Sequence, residues 1–288
     1  MDPEVVLAII NIVLAGMFGA VIGSFTNVCI YRIPEHRTVV KGHSMCMTCG
    51  HELGALDLVP IFSWLFLGGK CRYCKTPISS RYIKIESLTA LMYMVMAATH
   101  LSMFLDPTVE DPMTNIFPFI ELCALFIMIN VVIVEMMIQH DTGSSMYRMS
   151  VALGIDFVIQ LAARILDVAT DDSISGELCD KLAGWGIEIL VGAAIGFVAV
   201  VLAVLFANRP KELSKYFHDA KYRGVRTSDV FAIVLCACIG IIPAAVASAV
   251  YLIGRIVIGN GKNVKYLGII LAAGAAVGYF ANCAIQVI

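Results

Sequence analysis

Charge is scarce in this chain. Lys, Arg, Asp and Glu make up 15% of its 288 residues, where a soluble domain carries about 25%. That deficit, with 59% hydrophobic residues and a mean hydropathy of +0.86, excludes an ordinary water-soluble domain. Short alternating apolar runs of ~10 residues, the mark of a membrane barrel, are missing too. The apolar runs are about 20 residues long, the length of a spanning helix, and in lipid only helices or closed barrels satisfy every backbone polar group. The opening MDPE is acidic and no small-residue cleavage site follows, so no removable signal peptide is expected. A glycine-rich strand–turn–helix for nucleotide phosphates is lacking. Internal repeats and long biased segments are absent, and no nucleic-acid partner is expected.

What is present is an all-α integral membrane protein. Its predicted spans run about 5–30, 85–105, 116–138, 149–166 and 187–206, then two short spans within Asp229–Ile258, then 266–287. Gly240 and Pro243 interrupt the 229–258 run where a turn between two halves is needed. Charge distribution supports that split. With the N-terminus outside and about eight spans, the cytoplasmic segments 31–86, 139–150, 207–228 and 254–266 hold 18 of the 20 Lys and Arg, as the positive-inside rule requires. The basic loop 207–228 is read as part of that orientation signal. Gly16, Gly19 and Gly23 in the first span have the spacing of a close helix–helix contact.

The one substantial polar stretch before residue 139 is 42–86. It holds Cys46, Cys49, Cys71 and Cys74 as two C-x-x-C pairs, a four-thiolate zinc spacing. The lobe is too small for a good core of its own, and a metal would supply folding energy. Free thiols or a redox pair is the competing reading. His43 and His51 flank the first pair and are read as loop residues. Cys29, Cys123, Cys236, Cys238 and Cys283 are read as small apolar residues in spans; Cys179 stands alone in an outer loop.

The blocks GSFTNVCIYRIP, LDLVPIFSWLFLGGKCRYC and ISSRYIKIESLTAL, with a C-x-x-C pair between the first two, strongly resemble the N-terminal part of bacterial type IV prepilin peptidases. A second stretch, GVRTSDVFAIVLCACIGIIPAAVASAVYLIGRI, is similar to the region around that family's second catalytic Asp. The resemblance implies a membrane aspartic protease of the bacterial inner membrane. Such an enzyme cleaves the basic leader of prepilins or pseudopilins after Gly and N-methylates the new terminus with S-adenosylmethionine. It further implies three parts: a first transmembrane helix (1–30), a cytoplasmic zinc lobe that is the methyltransferase module (31–86), and a transmembrane peptidase domain (87–288). Gly23, Asn27, Tyr31 and Arg32 sit at the lobe end of the first span, where they are read as capping and orienting the helix.

A two-carboxylate protease shares one proton between neighbouring acids around a water. Asp229 aligns with the Asp of the family's Gly-x-Gly-Asp motif, although Arg226-Thr227-Ser228-Asp229 lacks both glycines. For the first carboxylate, pairing Arg148 with the Arg of the family's Pro-Asp-Arg loop sets Gln139 at the catalytic position. A shift of two residues sets Asp141 there. Since Gln139 cannot ionise, Asp141 and Asp229 are taken as the catalytic pair. Glu135, one turn from Gln139 on the same face, is the alternative, and loss of the first carboxylate is a third possibility. Asp141-Thr142-Gly143 also spells the triplet of soluble pepsin-like proteases, a likeness rejected because that all-β pattern is missing. Glu121, Asp156 and Glu188 are read as acids near span ends or bonded to neighbouring helices, and Glu86 as the partner of Arg81 or Lys84. The competing function is a non-catalytic membrane zinc-ribbon scaffold that handles pilins.

Overall fold

The computed structural model describes residues 3–100, 116–143, 145–170, 178–207, 227–258 and 265–287. The basic loop 208–226, the outer loop 101–115 and the side chains of Cys179 and Cys283 lie outside the described residues. Among those described, the regular structure is helical: α1 (Pro3–Arg32), α2 (Phe62–Phe66), α3 (Arg81–Thr99), α4 (Ile116–Thr142), α5 (Tyr147–Thr170), α6 (Leu178–Ala207), α7 (Thr227–Cys238), α8 (Ile241–Ile258) and α9 (Leu267–Val287). A single turn of 3₁₀ helix at Ala55–Asp57 precedes α2. A helix stands at each of the eight predicted span positions. Four are long and apolar enough to cross a membrane, within Val5–Arg32, Phe119–Thr142, Tyr147–Asp167 and Ala183–Leu205; apolar stretches in α7, α8 and α9 are shorter. Helix α3 carries Arg81, Lys84 and Glu86 in its first turns, which lowers its apolar content.

Two compact units divide the chain, Met1–Ile116 and Phe117–Ile288. In the first, α1 lies along α3 through the predicted glycine stripe. A Cβ on Gly19 would stand 2.8 Å from Tyr93 Cβ, and one on Gly23 would stand 2.8 Å from Glu86 Cα. Backbone approach this close leaves no room for a side chain. Buried Thr26 and Thr89 turn their hydroxyls onto the carbonyls of Ile22 and Ile85, at 2.9 Å each. The expected partner of Glu86 differs from the observed one. Its carboxylate is buried and accepts the Ile61 N–H at 2.7 Å, while the Arg81 guanidinium lies over the Tyr31 ring. The burial is the reason: Glu86 lies where α3 meets α1, so a loop amide reaches it and a solvated Lys does not.

In the second unit, α6 packs on α7 and α8, α5 on α7, and α8 on α9. The 229–258 run breaks as expected. Helix α7 ends at Cys238, Gly240 adopts φ +83°, and α8 begins at Ile241. A positive φ is a conformation glycine takes at little cost, and it reverses the chain into a helical hairpin. Small residues again allow close packing: Gly278 lies against Pro243 and Gly274 against Ala247. Arg164 of α5 donates to Glu121 of α4 at 2.7 Å from Nε, which is the neighbouring-helix partner expected for that acid. Asp156 accepts from Gln160 of its own helix at 2.8 Å.

Replacing Gly23 by Val forces α1 and α3 apart. The expected cost is about 1–3 kcal/mol, the range for overpacking a close contact. Protease resistance of the first unit in detergent, compared with a Val21→Ala control on the exposed side of α1, measures it.

Candidate functional site

Among the described residues, each unit holds a cluster of chemically competent side chains. In the first, the two C-x-x-C turns have the same backbone plan. Cys46 N–H bonds the His51 carbonyl at 2.9 Å, and Gly50 N–H returns to the Cys46 carbonyl at 2.8 Å. In the second turn, Cys71 N–H bonds the Thr76 carbonyl at 2.9 Å, and Lys75 N–H returns to the Cys71 carbonyl at 3.0 Å. Isolated bridges Met45–Glu52 and Lys70–Pro77 close the two turns. The residue after the second cysteine is left-handed in both, Gly50 at φ +70° and Lys75 at φ +60°.

All four sulfurs lie within 4.8 Å of one another, and Cys46 Sγ to Cys74 Sγ is 3.8 Å. A tetrahedral ion with ~2.3 Å bonds to sulfur needs sulfurs ~3.8 Å apart. The cluster can therefore hold a metal ion of that kind with small adjustment. His43 pairs with Glu52 at 2.6 Å, and the His51 ring lies 3.5 Å from the Tyr73 ring, centroid to centroid, so both work in the lobe's frame and neither joins the cluster. The backbone amides of Cys49 and Thr48 draw the Cys46 thiol below its ordinary range. Hydrogen bonds from the Thr76 hydroxyl and amide draw Cys74 down to about 6. A His51 amide bond favours the Cys49 thiolate, but desolvation and the neighbouring sulfurs outweigh it and push this thiol up to about 11. All four ligands would be thiolates once a metal is bound, whatever their separate preferences.

The strip between the turns is tied to the second one through Asp57. Its carboxylate accepts from Arg72 Nε at 2.5 Å, Gly54 N–H at 3.2 Å and the Tyr73 hydroxyl at 3.4 Å. The Arg72 bond, ahead of the others, holds this carboxyl below the usual aspartate range. The stabilisation is thus present above the ordinary value of ~3.9 and lost as pH falls through the folded value. On the other side, Arg32 donates to the carbonyls of Thr38, Lys41 and His43 at 3.1, 3.0 and 3.4 Å. It organises the entry of the lobe, a role close to the capping expected of it.

In the second unit the chemistry gathers around Asp229. This residue lies in the first turn of α7, where the helix dipole favours a negative charge, and it is fully buried. The Tyr251 hydroxyl donates to its Oδ1 at 2.5 Å and Arg255 Nη2 to its Oδ2 at 3.3 Å. Tyr251 and Arg255 stand one turn apart on α8, hence on one face. The sequence reading counted Arg255 among loop charges; it is instead buried within α8, paired with Asp229. A buried cation at the end of an apolar helix needs a partner, and Tyr251-x-x-x-Arg255 facing an acid across the hairpin is the signal that could have revealed it.

Beside this group lies a small cavity of ≈ 10 Å³, lined by Glu135, Gln139, Ser228 and Tyr251 among apolar neighbours. That is about the space of one water. Glu135 is buried; its Oε2 accepts the Met146 N–H at 3.4 Å, and its Oε1 has no hydrogen-bond partner among the described residues. Gln139, also buried, follows Glu135 on the same face of α4, close against Gly268. The structure therefore brings Glu135 and Gln139 to the cavity wall with Tyr251, the residue that holds Asp229. It does not bring Asp141 there. Asp141 is about a third exposed and bonds His140 at 3.2 Å. Two residues beyond Gln139 correspond to ~200° of helix rotation, which turns Asp141 to another side of α4. Asp141 and Thr142 are the helix's last two residues, and Gly143, at φ +71°, follows it.

The comparisons with known proteins bear on the first unit. Residues 17–100 match the family model of the Bacterial Peptidase A24 N-terminal domain. A "Prepilin leader peptidase/N-methyltransferase" of Myxococcus xanthus (strain DK1622) is 43% identical over 77 residues, 27% of this chain and 23% of that protein. The protein of the same name from Dichelobacter nodosus is 32% identical over 115 residues, 31% of this chain and 40% of its own length. That of Neisseria gonorrhoeae is 35% identical over 116 residues, 32% of this chain and 41% of its own. The match thus spans less than half the length of these curated relatives. No solved structure matches the chain.

Purified protein is expected to carry one metal ion per chain by elemental analysis. Cys71→Ser should abolish that stoichiometry. Acidification should release the ion, because protons compete for the same sulfurs. The residues that form this cluster and the helices that carry it are thus those of a chain similar over residues 17–100 to the Bacterial Peptidase A24 N-terminal domain, and over about a third of its length to prepilin leader peptidase/N-methyltransferases.

Proposed function

We propose that this chain is a prepilin leader peptidase with N-methyltransferase activity, held in a bacterial inner membrane by eight helices with its metal lobe and active site at the cytoplasmic face. The observation that carries the reading is the match of residues 17–100 to the Bacterial Peptidase A24 N-terminal domain, together with the similarity of about a third of the chain to proteins of that name. Its substrates are type IV prepilins or pseudopilins, cut after Gly. The four thiolates take zinc, since a four-sulfur tetrahedral set suits that ion; bound there, it staples the lobe and does no chemistry on the substrate. The methyl donor, S-adenosylmethionine, enters through the relatives' name alone, and no residue of this chain is assigned to it.

Asp229 is one carboxylate of the proposed dyad. Of the two acids weighed for the other, Asp141 and Glu135, the cavity supports Glu135. It stands at a space sized for one water, with the Met146 N–H and the Ser145 hydroxyl as its protein neighbours. Asp229 is held by Arg255 and Tyr251, and Glu135 stands at the cavity wall. Two carboxylates around one water divide the work: one takes a proton from the water as it adds to the peptide carbonyl, and the other gives a proton to the departing amine.

A second reading is a chain that has kept the first unit and lost proteolysis. It is favoured by neutral Gln139 at the cavity and by the Arg255 pair, which occupies Asp229.

The test separates them. Purified protein in lipid is incubated with a prepilin, and leader removal is followed by mass shift. Asp229→Asn and Glu135→Gln are each expected to reduce cleavage by at least ~10³-fold, in line with loss of a general acid–base group, while Asp141→Asn leaves most of it. If Asp141→Asn abolishes cleavage and Glu135→Gln does not, the dyad is Asp141 and Asp229. If wild-type protein cleaves nothing but methylates a pre-cleaved pilin, the second reading stands.

A further inference from the structure

The strip joining the two metal turns is apolar on its outer side. Leu56 is 74% exposed, Phe62 57%, Leu65 54% and Phe66 85%. A lobe facing water on all sides has no reason to display four large apolar side chains within eleven residues. The strip is also aimed. Ile61, a β-branched residue, sits at φ 64° and ψ −55°, with Phe62 N–H bonded to the Pro60 carbonyl at 2.6 Å. This is a γ-turn of the rare, strained kind. The buried Glu86 carboxylate holds the turn by its Ile61 N–H, and α2 starts at the next residue.

The position of that anchor along the helix pair says what faces the strip. Glu86 lies against Gly23 of α1, and Gly23 is ~27 Å along α1 from Val5 at 1.5 Å per residue. A hydrocarbon layer is ~30 Å thick. The carboxylate and the turn it grips are therefore level with the edge of the hydrocarbon, although the α1 sequence stays apolar to Ile30. Phe18, Val21 and Phe25 leave α1 with an exposed apolar side reaching the same level. Eight residues, or ~12 Å, further along α1, Tyr31 and Tyr82 stack with ring centroids 5.7 Å apart, and Trp64 within the strip donates from Nε1 to the Ile78 carbonyl at 3.3 Å. Amphipathic rings gathered beyond the apolar level of a helix are what a membrane–water boundary selects.

We propose that Leu56–Phe66 is an interfacial anchor: its apolar side chains enter the boundary between headgroups and acyl chains of the lipid around α1 and α3, and so seat the metal lobe on the bilayer. The occupant is the phospholipid surface, continuous with the lipid around α1. The Glu86–Ile61 bond sets the depth, and the γ-turn points α2 into the lipid. The inference needs α1 to span a membrane and does not need either catalytic activity.

The experiment uses the full chain with Trp185→Phe, which leaves Trp64 as the sole tryptophan, in phosphatidylcholine nanodiscs with or without brominated acyl chains. Trp64 emission should fall in brominated lipid, more with bromine near the headgroup than near the chain end. Phe62→Ser with Phe66→Ser should remove that quenching while elemental analysis still finds the metal. Equal emission in brominated and plain lipid overturns the proposal. With iodide quenching in addition, such a result means the strip faces water; without it, the strip lies against protein, whether a second copy or a substrate helix. Leader cleavage, assayed on the same discs, reports separately on the enzymatic reading.

Discussion

A charged group inside an apolar bundle must find a partner, and much of this structure follows from that constraint. Asp229 has Arg255 and Tyr251. Glu121 has Arg164. Glu86 has a loop amide. Each pairing also fixes geometry. The Asp229 group locks the α7–α8 hairpin, the Glu121 pair clips α4 to α5, and the Glu86 bond ties the lobe to its helices. Glu135 and Asp156 each keep one oxygen without a partner meeting hydrogen-bond geometry among the described residues, and Glu135 does so beside a space the size of a water.

The helices, the four-cysteine cluster and the glycine stripe of α1 were legible in the sequence because each depends on local spacing. Apolar runs, C-x-x-C turns and small residues at three- and four-residue intervals report on a face or a turn without needing to know what lies opposite. The break at Gly240 was legible for the same reason. The surroundings of Arg255 and Glu86 were not, because their partners come from elsewhere in the chain. Read alone, Arg255 resembles a loop charge and Glu86 an acid beside two bases. Only the folded hairpin sets Arg255 against Asp229, and only the packed lobe presents the Ile61 amide. Asp141 was favoured because chemistry demands a carboxylate near Gln139; the helix period turns Glu135, not Asp141, to the Gln139 face.

The metal lobe shows how little core a small module needs. Two turns of the same hydrogen-bond plan meet edge to edge, and their sulfurs converge without a hydrophobic centre between them. Around them the joints are polar: Arg72 on Asp57, Arg32 on three carbonyls, His43 on Glu52. Such joints hold direction but supply little free energy when exposed. A metal ion would therefore carry most of the lobe's stability.

The hairpin at Gly240 has a consequence for how the chain can vary. Asp229 and Tyr251 lie the same number of residues before and after the glycine, and Arg255 is one turn further on. The two arms therefore act as a ruler folded at its midpoint. Adding or deleting one residue in either arm turns everything beyond it by ~100° and moves it ~1.5 Å, so tyrosine and arginine would no longer meet the carboxylate. Exchanging one apolar residue for another leaves the ruler intact. Arm length, more than side-chain identity, is what this part of the chain has to keep constant.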